Sequence, residues 1–119
     1  MADLPKMMRL RSAARETLRQ LGTMTDANGM ADSYERYRAE ARLIVEDPTA
    51  VEEFDRLFPV KELPRYETVR PSMAIAYGEA KSCLAGLLGW LDGAVEAEQF
   101  DQQARANAEA RLRDRGQTS

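Results

Sequence analysis

The stretch GLLGWLDG, residues 86–93, sets three glycines and a tryptophan inside what otherwise reads as one long helix. Each interior glycine disfavours a helix by roughly 0.5–1 kcal/mol against alanine, through backbone entropy and missing packing. Three within about two turns are a liability unless a neighbouring surface needs the absent side chains. Placed on a wheel at 100° per residue, Gly78, Ser82, Gly86, Gly89, Gly93 and Ala97 share one narrow stripe, which Phe100, Ala104 and Ala108 continue. Leu84, Leu87, Leu88, Leu91 and Val95 fall on the other side, with Trp90 between the groups and a polar strip at Asp92, Glu96 and Gln99. A helix apolar nearly all round is buried nearly all round, and a chain of 119 residues is too small to enclose one on every side. The leucine face is therefore expected to be the protomer core and the small-residue face an interface between subunits. The alternative is a close helix–helix contact within one protomer.

Working outward, this last helix is expected from Ser72 to about Arg115, long enough to need lateral support from other helices. Residues 4–21 carry Met7, Ala14, Leu18 and Leu21 at helical spacing, with Gly22 placed as a left-handed stop. Arg11, Arg15 and Arg19 fall four apart beside that apolar row, either as a solvated face or as a contact for an acidic partner or a neighbouring subunit. TDANG, residues 25–29, reads as a turn. Met30, Tyr34, Tyr37, Ala41 and Ile44 then repeat at heptad-like spacing and predict a second helix to about Val45. Asp47-Pro48 restarts the chain as N-cap and first helical residue, and Val51, Phe54, Leu57 and Phe58 line a short third helix ended by Pro59. Residues 60–71, with Pro64 and Pro71, have no period and read as an ordered crossover or a mobile loop. The fold class expected is all-α: a four-helix protomer over residues 1–115 with a short tail at 116–119.

Composition narrows the chemistry. A formal charge of −3 argues against nucleic acid as the main partner. The most apolar run, residues 83–91, is far short of the ~20 residues that span a bilayer, and the N-terminus lacks the apolar region of a signal peptide; a cytoplasmic chain, with no membrane partner, is expected. The single cysteine, Cys83, excludes an internal disulfide and reads as a small buried hydrophobe. The chain has no histidine, which removes the commonest general base and the commonest metal ligand. Acidic pairs such as Glu52-Glu53 sit near helix N-termini, where carboxylates suit the dipole. No catalytic residues, cofactor or metal are expected, and an enzyme is not expected.

The run CLAGLLGWLDGAVEAEQFDQQARANAEARL, residues 83–112, resembles the last helix of the bacterial proteasome activator family of actinobacteria. Members of that family have a similar L-x-G-W-L-E-G core, whose last six positions align with Leu88 to Gly93 here, and later a Gln/Ala-rich tail containing A-x-x-Q-Q-x-A-R-A, where this chain reads Gln102, Gln103, Ala104, Arg105 and Ala106 without the intervening residue. Met8-Arg9 and FDRLFP at 54–59 fit more loosely. The resemblance implies a four-helix protomer assembling into a dodecameric ring, which docks on the core proteasome without ATP and opens its gate to unfolded protein substrates. In that family docking uses a C-terminal Gly-Gln-Tyr-Leu peptide. The chain ends Gly116-Gln117-Thr118-Ser119, matching in Gly116 and Gln117 only, so gate opening by the chain as written is not expected, for want of an aromatic anchor. On this reading Gly86, Gly89, Trp90, Gly93, Ala97, Phe100, Tyr34 and Tyr37 carry assembly. Arg11, Arg15, Arg19, Gly116 and Gln117 are the partner-facing candidates. The alternative is a helical-bundle adaptor or regulator unrelated to proteolysis.

Overall fold

A computed structural model describes residues 3–117, with no side-chain description of Gln117. The described chain is helical, with no strand. Helix α1, Leu4–Gln20, starts where the Asp3 carboxylate accepts a hydrogen bond from the Lys6 amide at 3.2 Å, with proline in its first turn. It stops through extended backbone at Leu21, φ −91° and ψ 91°. The left-handed Gly22 expected there does not occur, since no glycine has positive φ. The Leu21 carbonyl instead accepts from the Tyr77 hydroxyl at 2.6 Å, so the chain end is tied to α4 rather than wound into a cap.

The expected turn at residues 25–29 is shorter than its composition implies. A 3-10 turn, Met24–Asp26, leads directly into α2, Ala27–Ile44, so Ala27, Asn28 and Gly29 are helical. The Asp26 carboxylate accepts from the Thr23 amide at 3.1 Å, which stabilises the entry. Every member of the heptad-like row on α2 is buried: Met30, Tyr34, Tyr37, Ala41 and Ile44. Helix α3 follows as Pro48–Leu57, and α4 runs from Met73 to Gln117, one residue later at its start and two later at its end than the periodicity suggests. Gly116 and Gln117 therefore belong to α4 and not to a tail, while Thr118 and Ser119 lie outside the described residues.

The core is a seam of three helices. Along α4, Met73, Ala76, Ala80, Leu84, Leu87, Leu91 and Val95 are buried at steps of three and four, as one face of a helix requires. Leu84, Leu87, Leu91 and Val95 are fully enclosed, while Leu88 is only partly buried at the margin of that face. Against them pack the α2 row and Met7, Leu10 and Ala14 of α1. Helix α1 lies antiparallel to α4, since Leu21 meets Tyr77 and Arg15 meets Asp92. Helix α2, reversed by the tight turn, runs parallel to α4.

Parallel neighbours need a crossover, and α3 with residues 58–72 supplies it. Helix α3 contributes one fully buried ring, Phe54, while Leu57, expected on the same face, is 56% exposed. Phe54 is the one buried side chain of this ten-residue helix, so α3 acts as a clip on a three-helix core and not as an equal fourth member. The crossover is held in place: Asn28 accepts from the Tyr66 amide at 2.9 Å and donates to its carbonyl at 2.7 Å. Arg65 bridges Asp32 and Glu35 on α2 at 2.8 and 2.9 Å, and Leu63 is buried.

Arg38 and Arg42 of α2 fasten α3 through Asp55. Arg42 meets the carboxylate at 2.8 and 3.0 Å and Arg38 at 3.1 Å, while Arg38 also donates to the Phe58 carbonyl. The hydrogen bond from Arg42 is the main cause holding the Asp55 carboxyl below its ordinary value. A carboxyl lowered by folding contributes stability above its unfolded pKa, about 3.9, and loses it as the pH falls through the lower folded value. Asp55→Asn should therefore be less stable than the parent at pH ~7, and urea midpoints of the two should converge toward pH ~2. A difference that stays constant over that range would show that the clamp is not electrostatic.

Candidate functional site

The stripe on α4 is the most unusual surface of the protomer. Gly78, Ser82, Gly86, Gly89, Gly93 and Ala97 are all exposed, and Phe100, on the same side, is 74% exposed. A Cβ built at Gly78, Gly89 or Gly93 would meet nothing within 4 Å, and at Gly86 it would touch only the Phe58 ring, at an ordinary 3.8 Å. The alternative expectation, a close contact within one protomer, is thereby removed. Apart from the Phe58 ring beside Gly86, no described element approaches the glycines of the stripe, yet each glycine disfavours the helix by about 0.5–1 kcal/mol. No contact among the described residues requires them.

Trp90 stands at the margin of this surface. Its ring meets Phe54 edge-on, centroids 4.9 Å apart at 68°, and Phe58 at 6.4 Å and 79°, and the two phenylalanines are 5.2 Å apart. Such edge-to-face pairs contribute beyond their buried area. The tryptophan thus joins α3 to α4 and stiffens the helix where its glycines loosen it.

Two other sets of expected site residues lie elsewhere. Tyr34 and Tyr37 are not on an assembly surface: they are 3% and 6% exposed within the protomer core. The Tyr37 hydroxyl is satisfied by Thr17 and Arg36, each at 2.9 Å. Their heptad-like spacing marked a buried face, and spacing alone does not say whether that face meets its own chain or another.

The arginine row is likewise not a free basic face. Arg11 and Arg15 both turn to Asp92 of α4, at 3.7 and 3.0 Å, and Arg19 pairs with Glu16 of its own helix. Asp92 is the only charged residue in 83–95. An isolated acid on an apolar helix is the sequence signal that points to such a partner. Gly116 is exposed at the end of α4.

Cys83 is a free thiol, partly rather than fully buried, bordering a groove of about 300 Å³ with Tyr34 and Phe58. The groove is open to solvent, as is one of about 590 Å³ between α1 and Glu40. Among the described residues no group of three or more His, Cys, Asp or Glu is placed to hold a metal ion, and no helix is long and apolar enough to cross a membrane. Compared with known proteins, the chain matches no family model, no curated protein and no solved structure.

Proposed function

We propose that the chain is a non-enzymatic, self-assembling helical protein of the ring-forming proteasome-activator type, with the glycine stripe of α4 seating a neighbouring copy. The observation that carries this reading is the stripe: four glycines, Gly78, Gly86, Gly89 and Gly93, along one exposed line of a single helix, with no intramolecular contact that requires them. Small residues in a row let a second backbone come close, which multiplies dispersion contacts along the line. The likeness of residues 83–112 to the activator family supplies the rest of the proposal. The protomers close into a ring that binds loosely folded proteins, with the core proteasome as its candidate docking partner.

Sedimentation across a range of concentrations tests the assembly. A large homo-oligomer is expected, about twelve subunits if closure follows the family geometry that the resemblance implies. A monomer at every concentration ends the reading, and a dimer favours the adaptor alternative. Degradation of an unfolded protein by a core proteasome, with and without the assembled chain, tests the role of the ring. Assembly without any binding to the proteasome would leave a scaffold or adaptor with another partner.

A further inference from the structure

Beyond Glu98 the last helix leaves the bundle, and residues 99–116 are exposed on every side. The molecule is accordingly 75 Å long but only 28 and 15 Å across. This arm carries Phe100 and Leu112, 74% and 67% exposed, on an uncovered helix. Its charges are segregated. Residues 96–101 hold Glu96, Glu98 and Asp101 and no base, whereas Arg105, Arg111, Arg113 and Arg115, with Glu109 and Asp114, occupy the remainder.

We infer that the arm pairs with the arm of a second copy, antiparallel, about a two-fold axis beside Ala104. The inference rests on the self-assembly reading above and names an interface within it. Antiparallel pairing sets the acidic base of each arm beside the basic tip of the other, so Glu96 lies near Arg111 of the second copy, both on the side of the helix that carries Ala104. Parallel pairing stacks acid on acid and base on base, and like charges across an interface select against it. In the antiparallel register Phe100 faces Ala108 of the second copy, and Ala104 faces its own equivalent. Large side chains then meet small ones at both ends. The tip reaches Gly93, where the absent side chain leaves room for it. A two-fold contact of this kind is closed, so the arms join copies in pairs and leave Gly78 to Gly89 free for a different neighbour.

Cross-linking reads the register directly. In a Cys83→Ser background, Ala104→Cys should form a disulfide-linked dimer under mild oxidation. Ala97→Cys should not, because its two copies stand about 21 Å apart along the pair and a disulfide needs Cα atoms within about 7 Å. A disulfide at position 97 would show parallel arms and overturn the inference. Arg111→Glu should weaken arm pairing by about tenfold or more, and adding Glu96→Arg to the same chain should restore it. If the parent chain is oligomeric and loses mass with Gly89→Leu, but shows no cross-link at 104 and no response to charge reversal, arm pairing is wrong while self-assembly stands. If the parent is a monomer throughout, both fall.

Discussion

Phe54→Ala should destabilise the protomer by about 3–5 kcal/mol, the range for truncating a fully buried aromatic ring. Phe54 is 1% exposed and is the sole buried side chain of α3, so its loss removes the main apolar attachment of that helix. The ring also meets Phe58, Trp90 and the Arg38 guanidinium, the last 5.5 Å from its centre. A domain of this size is stable by only about 5–15 kcal/mol, so this one substitution removes a large share. Trp90, the single tryptophan, packs directly on Phe54 and reports the event by its fluorescence in a urea titration. Leu57→Ala is the control: at 56% exposure it should stay within about 0.5 kcal/mol of the parent. Equal effects of the two would mean that the Arg38–Arg42–Asp55 clamp, and not the buried ring, holds α3.

If the stripe seats a second copy as proposed, Gly89→Leu should stabilise the single chain and break the assembly, two effects of opposite sign from one substitution. Nothing lies within 4 Å of a Cβ at Gly89, so leucine meets no clash within its own chain. Replacing an exposed mid-helix glycine by a good helix former favours the helix by roughly 0.5–1 kcal/mol. At a close interface the same side chain overpacks by about 1–3 kcal/mol, and in a ring the penalty recurs at every contact. Higher thermal stability of the isolated protomer together with loss of the oligomer in sedimentation is the expected pair of results. Gly89→Ala separates size from propensity, since it should stabilise the protomer to a similar extent and disturb assembly less. An oligomer unaffected by leucine at 89 would place the subunit contact elsewhere on the chain.

Where helices begin and end was legible to within a residue or two when a proline or an acidic cap marked the place, as at Asp47-Pro48. It failed at residues 25–29, where Asn28 and Gly29 read as turn formers yet sit in the first turn of α2. Asn28 is held there by two hydrogen bonds to Tyr66, thirty-eight positions away. Gly22 failed for a related reason, because Leu21 is held to α4 through the Tyr77 hydroxyl and needs no left-handed cap. In both places a long-range hydrogen bond overrode a local preference of a fraction of a kcal/mol.

The sequence by itself determined an all-helical chain, the buried rows of α2 and α4, and the separation of leucines from glycines on the last helix. Each of these follows from helical periodicity, which every stretch of chain carries locally. Only the tertiary structure decided what each face meets. It put Tyr34 and Tyr37 inside the protomer, gave Arg11 and Arg15 a shared partner in Asp92, reduced α3 to a clip carrying Phe54, and left the glycine stripe and the arm uncovered. Periodicity records that a face is apolar, basic or small. Whether its own chain covers that face depends on how many helices surround the axis and where the crossover lies, and those are properties of the packed molecule.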